Sequence, residues 1–306
     1  MRLVFCGTAE FAVPSLRVCA ARHDVAAVVT RADRPGSRGR PAPRPVADAA
    51  RELGLDVLTP AKIGAPDVVR DLLGLAPDSL VVAAYGQILP PALIDPPRYG
   101  AVNVHASLLP RWRGASPIAH AILAGDAETG VSIMRMEAGL DTGPVYAMAR
   151  ILVHEQDTTP TLTANLAELG AAELAAVLSA LERGAVVATP QPETGVTYAP
   201  RLRREDGALD WTARSGVEVD RMVRALQPWP GVRGPIAGRD VQIDAGSPAD
   251  IPDGMSPGVV VGDDGESVVI AARDGGYRVD LITPPGKRAM TPAAWLRGLR
   301  TREVQR

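Results

Sequence analysis

The sequence has few cysteines and histidines, and their scarcity excludes several kinds of site. Only two cysteines, Cys6 and Cys19, occur among 306 residues, which excludes a disulfide scaffold. The four histidines are scattered along the chain and show no zinc-ligand spacing. Cys6 ends an apolar run that begins at Leu3, which favours a buried, unreactive thiol. The sequence therefore predicts a protein without a bound metal.

No charge of one sign dominates, and no apolar run reaches the length of a transmembrane helix. Lysine and arginine number 33 against 35 aspartates and glutamates, which excludes a uniformly basic surface but allows local basic patches. The N-terminus lacks the apolar segment and cleavage site of a secretory signal. We therefore expect a cytoplasmic protein with no membrane partner. Its 306 residues predict two domains.

The first half of the chain alternates short apolar runs with stretches of helical character. Leu80–Ala84 is continuously apolar, as in a parallel strand that is buried on both faces. This alternation predicts an α/β fold with a doubly wound, mostly parallel sheet. Further strands of that sheet are predicted at Leu3–Cys6, Val25–Thr30, Leu55–Leu58 and Ala101–His105.

The pattern changes after Gly130, still within the first domain, and a second, smaller domain follows a linker. Two strands, Val131–Met136 and Val145–Val153, precede a long helix rich in alanine and leucine that ends near Arg183. Beyond Pro230, short β-like runs separated by Asp-Gly turns predict a small antiparallel barrel. We predict an N-terminal domain at 1–189, a proline-punctuated linker at 190–209 and a C-terminal domain at 210–306.

The segment after the first strand argues against a dinucleotide-binding loop. Gly7–Ala12 contains one glycine where that loop needs three. The lysine of a phosphate-binding P-loop is absent as well. A nicotinamide or flavin dinucleotide is therefore not the expected ligand.

Asn103 and His105 are the most informative pair in the sequence. Residues two apart on a strand share a face, and this strand ends where open α/β sheets bind ligands. An amide beside an imidazole suits the stabilisation of an oxyanion or the movement of a proton. Asp141 lies in a glycine-flanked turn, from which its carboxylate could reach the same edge. The alternative interpretation is a buried structural histidine, a strand-end asparagine and an ordinary turn aspartate.

The residues around this pair resemble the signature of the 10-formyltetrahydrofolate-dependent formyltransferases. The resemblance rests on Asn103-Val104-His105, Ser107-Leu108-Leu109-Pro110 and the downstream turn Gly139-Leu140-Asp141-Thr142-Gly143. Within the family, the chain is most similar to the branch whose acceptor is methionyl initiator tRNA. Further matching blocks follow in order along nearly the whole chain: Phe5–Thr8 with Phe11, Asp33–Pro35 with Arg38–Arg40, Ala84–Pro90, Arg111–Ala115 with Pro117-Ile118, Gly125–Gly130, Thr197–Pro200 and Pro285–Met290.

The resemblance implies a Rossmann-like catalytic domain followed by an OB-like β-barrel that binds tRNA. The implied reaction moves the formyl group of 10-formyltetrahydrofolate, a co-substrate, to the α-amine of methionyl initiator tRNA for translation initiation. Asn103, His105 and Asp141 become the catalytic residues, no metal takes part, and the family suggests a monomer. The implied folate site comprises Tyr85, Gly86, Gln87, Ile88, Leu89, Ser107, Leu108, Leu109 and Pro110.

Basic residues in two segments are the expected tRNA contacts, because cationic groups bind tRNA through the release of its counterions. The resemblance matches Arg38 to the loop arginine that engages the acceptor end. The alternative for these side chains is a solvated surface, and it applies equally to Arg297, Arg300 and Arg302 near the C-terminus. The complete set of expected tRNA contacts is Arg34, Arg38, Arg40, Lys287 and Arg288.

The resemblance has departures, and other functions compete with it. Gly231–Pro235 lacks the aromatic residues expected there, and Arg201 and Arg288 stand where lysine is frequent. Trp112 lies between two arginines and either stacks on a base or packs against the folate pocket or the core. The competing functions are formyl transfer to a sugar-nucleotide amine, formyl hydrolysis and tRNA binding without catalysis. The basic segments favour tRNA over a sugar, and the three catalytic residues together favour an enzyme.

Overall fold

The computed structural model describes residues 1–32 and 44–304. These residues fall into two compact units, each assembled from separate stretches of the chain. The first unit comprises Met1–Ile118, Glu128–Leu152 and Thr161–Pro200, and the second comprises Ala119–Ala127, Val153–Pro160 and Arg201–Arg306.

From residue 2 to residue 105, strands and helices alternate as the apolar pattern predicts. Pro14 lies in the first turn of its helix, where the missing N–H costs no hydrogen bond. In chain order the elements are β1 (Arg2–Gly7), α1 (Val13–Arg22), β2 (Asp24–Val29), α2 (Pro45–Glu52), β3 (Val57–Leu58), α3 (Pro66–Gly74), β4 (Ser79–Ala83), α4 (Pro91–Ile94), β5 (Ala101–His105), β6 (Arg113–Gly114), α5 (Pro117–Ala124), β7 (Glu128–Arg135), β8 (Val145–Leu152), α6 (Thr159–Glu182) and β9 (Tyr198–Ala199).

The first unit is built on a seven-stranded sheet in the order β3-β2-β1-β4-β5-β7-β8. Strands β1 to β5 run parallel, and β7 and β8 add two antiparallel strands at one side. Every residue of β4 is buried, which explains its continuous apolar run. The predicted doubly wound, mostly parallel sheet is confirmed. Its parallel strands bring the carboxyl ends of β1, β4 and β5 to one edge.

Helix α6 packs across the sheet next to β5 and β7. A Cβ added at Gly170 would lie 2.7 Å from Cγ1 of Val104, so the absence of a side chain lets the helix approach closely. Among the described residues, α6 is also the one helix long and apolar enough to cross a membrane by length and composition. From the sequence, no apolar run of transmembrane length is expected. Half of its most apolar stretch is buried inside the protein, the arrangement of a core helix.

The second unit carries a five-stranded antiparallel sheet in the order β10-β11-β14-β13-β12. Its antiparallel strands agree with the small antiparallel barrel predicted for the C-terminal domain, and Val268, Tyr277 and Val279 of its central strands are fully buried. Its elements are α7 (Gly216–Ala225), β10 (Val232–Ile236), β11 (Arg239–Ala249), β12 (Val260–Asp263), β13 (Val268–Ala271), β14 (Gly276–Thr283) and α8 (Pro292–Val304).

Candidate active site

Asn103 and His105 lie on one face of β5, at the end that reaches the carboxyl edge of the sheet. The intervening Val104 points to the opposite face and packs beneath α6 at Gly170. His105 is 5% exposed, whereas Asn103 is half-buried. The strand therefore holds an imidazole and an amide side by side and keeps the imidazole largely out of water.

Both ring nitrogens of His105 face an oxygen atom. Nε2 lies 3.0 Å from the carbonyl oxygen of Trp112, and Nδ1 lies 3.8 Å from Oδ2 of Asp141. A carbonyl oxygen only accepts hydrogen bonds, so this partner assigns a hydrogen to Nε2. Nδ1 is consequently the atom that can gain or lose a proton, and it does so beside a carboxylate.

Asp141 is held by both its side chain and its backbone. Its φ of +50° is in the left-handed region, which aspartate tolerates better than most residues. Oδ2 accepts a hydrogen bond of 2.8 Å from the N–H of Gly114, and the carbonyl oxygen accepts one of 2.8 Å from Nε2 of Gln191. The structure thus brings Asp141 to His105, as the sequence predicts.

Trp112 contributes its main chain to the site. Its φ is +60°, and its N–H donates to Oγ1 of Thr197 at 2.8 Å while its carbonyl oxygen accepts from His105. The guanidinium carbon of Arg111 lies 4.5 Å from the centre of the Trp112 ring, a cation–π contact. The indole is therefore stacked on an arginine of its own chain.

The predicted folate segment 107–110 forms a tightly bonded loop after β5. Ser107 is fully buried, and its hydroxyl donates to the carbonyl oxygen of Arg111 at 2.6 Å. The hydroxyl of Ser132 donates to the carbonyl oxygen of Ser107 at 2.7 Å and accepts from the N–H of Leu109 at 3.1 Å. Leu109 packs in a small buried cluster of the first unit. The other two residues of the segment, Leu108 and Pro110, are half-buried.

The second predicted folate segment, 85–89, follows β4 at the same edge of the sheet. Tyr85 and Leu89 are buried in the core, whereas Ile88 is 90% exposed. Gly86 has a φ of +83°, a conformation that favours glycine. The segment therefore presents one apolar side chain and a glycine backbone to the outside, with its two ends anchored in the core.

Two further contacts fix this segment. The side-chain oxygen of Gln87 accepts from the N–H of Ile63 at 2.9 Å, and its amide nitrogen donates to the carbonyl oxygen of Pro60 at 3.3 Å. Within the described residues the buried hydroxyl of Tyr85 has no hydrogen-bond partner, and burial raises the pKa of this phenol. Tyr85 and Gln87 thus support the loop with their side chains.

The predicted tRNA contacts are only partly within the described residues. Lys287 and Arg288 are exposed in the turn that follows β14, where the N–H of Lys287 donates to the carbonyl oxygen of Pro284 at 3.0 Å. The remaining three, Arg34, Arg38 and Arg40, lie outside the described residues.

The two cysteine thiols are buried, as the sequence predicts for Cys6. Cys6 and Cys19 are free and buried, and burial raises the pKa of each thiol to about 12, which confirms the predicted unreactive Cys6. In residues 1–32 and 44–304, no group of three or more His, Cys, Asp or Glu side chains could hold a metal ion.

Sequence reasoning missed the groups that hold the histidine and aspartate in place. These are the carbonyl oxygen of Trp112, the N–H of Gly114 and the side chain of Gln191. The first two are backbone groups and have no sequence signal. Gln191 falls in the segment predicted as a linker, where nothing distinguishes it from other polar residues.

Comparison with known families matches the chain in two successive blocks. The family described as "Formyl transferase" matches residues 1–178, and "Formyl transferase, C-terminal domain" matches residues 201–300. The chain belongs to the formyl transferase family. The resemblance drawn from the residues around His105 is therefore confirmed.

Formyl transferases of known activity are similar to the chain over nearly its full length. The methionyl-tRNA formyltransferase of Xanthomonas campestris is 45% identical over 302 residues, which cover 98% of each chain. That of Paracoccus denitrificans is 46% identical over 305 residues, again 98% of each chain. Both alignments therefore span nearly the whole of each chain.

Solved structures of proteins at lower identity share the fold. The sugar 3N-formyl transferase WlaRD superimposes with a TM-score of 0.68 at 16% identity, covering 94% of this chain and 99% of its own. HypX from Aquifex aeolicus, in complex with tetrahydrofolic acid, gives a TM-score of 0.65 at 21% identity. That match covers 97% of this chain, which spans about half the length of HypX. At these identities the likeness extends to the fold alone.

Proposed function

We propose that this formyl transferase moves the formyl group of 10-formyltetrahydrofolate to the α-amine of methionyl initiator tRNA. The observation that carries the proposal is the pairing of His105 with Asp141 at the carboxyl edge of the sheet, with Nδ1 and Oδ2 3.8 Å apart. The full-length similarity to methionyl-tRNA formyltransferases supports methionyl-tRNA as the acceptor.

Asn103, His105 and Asp141 have distinct parts in this mechanism. As the amine attacks the formyl carbon, negative charge grows on the formyl oxygen, and Asn103 donates a hydrogen bond that strengthens in the transition state. When Nδ1 of His105 is protonated, it is a second donor for that oxygen or a proton source for the folate nitrogen that leaves. Asp141 stabilises the imidazolium and, through a water molecule, helps remove the proton from the attacking amine.

The two segments at the carboxyl edge are proposed to bind the folate. The flat pterin ring needs apolar surface and main-chain hydrogen-bonding groups, and residues 85–89 and 107–110 offer both. Gly86 offers exposed main-chain groups, although the Arg31 side chain lies against the position of its missing Cβ, and the exposed Ile88 can cover one face of the ring. Since Ser107 and Gln87 use their side chains within the loops, we propose that these positions contribute main-chain groups.

The remaining features of the proposal concern the acceptor and the working form of the enzyme. Arg34, Arg38, Arg40, Lys287 and Arg288 are proposed to contact tRNA phosphates. We further propose a monomer that works in the cytoplasm without a metal, with a catalytic domain at 1–189, a linker at 190–209 and a tRNA-binding domain at 210–306.

A formyl-transfer assay tests the proposed acceptor directly. The purified protein is given 10-formyltetrahydrofolate with methionyl initiator tRNA, methionyl elongator tRNA or a UDP-amino sugar, and each acceptor is analysed by mass spectrometry. We expect formylation of the initiator tRNA alone. Transfer to the sugar would keep the catalytic residues but overturn the tRNA acceptor. Folate binding without any transfer would favour a non-catalytic tRNA-binding protein.

Substitution of Asp141 tests the mechanism separately from the acceptor. Asp141→Asn keeps the shape of the side chain but removes the charge that stabilises a protonated His105. We expect a kcat lower by about 10²–10⁴-fold, with folate affinity unchanged, measured by steady-state kinetics and folate titration. A kcat equal to that of the unaltered enzyme would remove Asp141 from the mechanism.

A further inference from the structure

Gln191 stands in a segment that is bound to the main sheet although it belongs to no named strand. Two residues earlier, Thr189 exchanges two backbone hydrogen bonds of 2.8 Å with Val145, the first residue of β8. This pairing places the chain alongside the turn that carries Asp141. Gln191 itself is half-buried.

The side-chain amide of Gln191 uses all of its hydrogen-bonding capacity. Nε2 donates to the carbonyl oxygens of Asp141 and Gly143, both at 2.8 Å. Oε1 accepts from Nε and Nη2 of Arg113 at 3.1 and 2.7 Å. Two donors and two acceptor sites are what a primary amide offers, so no other common side chain of this size reproduces the set.

These four hydrogen bonds connect the two parts of the chain that hold the Asp141 carboxylate in place. On one side is the Asp141 turn, whose backbone is in the left-handed region at φ +50°. On the other is β6, where Arg113 is followed by Gly114, the residue whose N–H donates to Oδ2 of Asp141. The amide of Gln191 therefore ties the backbone beneath the carboxylate to the strand that holds the carboxylate itself.

We propose that Gln191 is a positioning residue for formyl transfer, which sets the place of the Asp141 carboxylate relative to His105. The expected effect on catalysis rests on the proposed function of Asp141. The expected effect on the position of the carboxylate does not. In the part of the chain that the structure describes, the Gln191 side chain makes no hydrogen bond to His105, so it acts through Asp141 alone. Its contribution should therefore appear in kcat and vanish when the charge of Asp141 is absent.

Substitutions at Gln191 can be accommodated without crowding. The side chain borders a cavity of about 430 Å³, which is also lined by Glu137, Pro144 and Val196. Gln191→Met keeps the length and removes both donors and the acceptor. Gln191→Glu keeps the acceptor for Arg113 but replaces the two donated bonds with repulsion between a carboxylate and two carbonyl oxygens.

Amide hydrogen exchange measured by NMR tests the structural part without any assay of activity. The Gly114 amide is protected by its bond to Asp141, whereas the next amide, that of Ala115, donates to the carbonyl oxygen of Ala199 at 2.8 Å. We expect exchange at Gly114 to be about tenfold faster in both Gln191 variants, with Ala115 unchanged. Unchanged exchange at Gly114 would overturn the inference.

A double-mutant cycle tests the catalytic part. We expect Gln191→Met to lower kcat at least about tenfold with the KM for folate unchanged, and to cost nothing further in the Asp141→Asn background. The matched control is Gln227→Met in the second unit, where the amide makes one bond, to the carbonyl oxygen of Asp244 at 3.2 Å. Its kcat should equal that of the unaltered enzyme.

The outcomes separate this inference from the proposed function. If Gln191→Met lowers kcat by the same factor in both backgrounds, Gln191 acts independently of Asp141 and the inference is wrong. If Asp141→Asn leaves kcat unchanged, the proposed role of Asp141 fails instead. In that case the exchange rate of Gly114 still decides whether Gln191 holds the carboxylate. Thermal unfolding of each variant establishes that it is folded during the measurements.

Discussion

Gly114 occupies a position where the backbone requires glycine for two reasons. Its φ is +125°, a conformation that side chains rarely adopt, and an added Cβ would lie 2.5 Å from the carbonyl oxygen of Ala199. The pairing of β6 with β9 allows this close approach. The same residue donates its N–H to Oδ2 of Asp141, so the packing of β6 against β9 is coupled to the position of the Asp141 carboxylate.

Gly114→Ala should therefore impair stability and activity together. The new methyl group must push β6 away from β9, and the strained backbone adds to the cost. We expect the free energy of unfolding to fall by about 1–3 kcal/mol and kcat to fall with it, measured by urea denaturation and formyl transfer. The control is Gly74→Ala at the exposed end of α3, where an added Cβ meets nothing within 4 Å. A Gly114→Ala enzyme with normal kcat would contradict the link to Asp141.

At this scale the sequence indicates candidate catalytic side chains but not the groups that hold them in place. Spacing on one strand points to Asn103 and His105, a glycine-flanked turn points to Asp141, and the family resemblance assigns their proposed roles. Every residue has a carbonyl oxygen, and every residue except proline has an N–H. Only the φ values of +60° at Trp112 and +125° at Gly114 direct these groups at the site. Positioning by the main chain is for this reason invisible before the backbone path is known.

At the scale of elements, the sequence predicts the bounds of buried strands well, but it predicts edge strands and bulged strands poorly. The buried parallel strands β4 and β5 lie within one residue of their predicted bounds. Strand β10 was not predicted, because its Gly and Pro look like a turn. It is an edge strand, where Pro235 needs no ladder partner on its free side. Strand β11 is longer than predicted, since bulges between Ile243 and Gly246 interrupt its alternation.

Helix α7 shows how a local signal secures an element of the second unit. The hydroxyl of Ser215 accepts from the N–H of Glu218 at 3.2 Å, and the Glu218 carboxylate accepts from the N–H of Ser215 at 2.7 Å. Arg273 donates to the same carboxylate at 3.0 Å. The two bonds between Ser215 and Glu218 form a capping box. The hydrogen bond from the Ser215 N–H is the largest of the causes that lower the pKa of Glu218.

Ser215→Ala should destabilise the protein through this helix start. We expect a loss of about 1 kcal/mol in the free energy of unfolding at pH 7, measured by urea denaturation. The control is Val217→Ala in the first turn of the same helix, where the side chain is 49% exposed and makes no cap. An equal loss in both variants would show that the first turn is sensitive to any truncation and that the cap is not responsible.

The capping box also predicts a dependence on pH. Because the pKa of Glu218 is lowered in the folded protein from its usual 4.5, the carboxylate stabilises the fold above pH 4.5. That contribution is lost as the pH falls through the lowered value. We therefore expect Glu218→Gln to be less stable than the unaltered protein at pH 7, and we expect the difference to shrink as the pH falls below 4.5, by urea denaturation. A difference that stays constant as the pH is lowered would exclude the charge as its cause.

At the scale of the whole molecule, the formal net charge of −2 opposes the binding of a polyanion. Attraction to tRNA must therefore come from local groups of cations, and Lys287 and Arg288 form such a pair in an exposed turn of the second unit. Each phosphate contact that is formed releases counterions, so affinity falls as salt is added. The number of contacts is thus measurable from the salt dependence alone.

Replacing Lys287 and Arg288 together by alanine should reduce that salt dependence. We expect the slope of log affinity against log salt to become shallower by about 2, one for each contact, while the KM for folate is unchanged. The control replaces Arg70 and Arg98 by alanine, which removes the same charge from exposed positions of the first unit. If both double variants change the slope equally, tRNA senses the total charge of the protein. A change confined to the variant without Lys287 and Arg288 places the contact at the turn after β14, because both double variants have the same net charge.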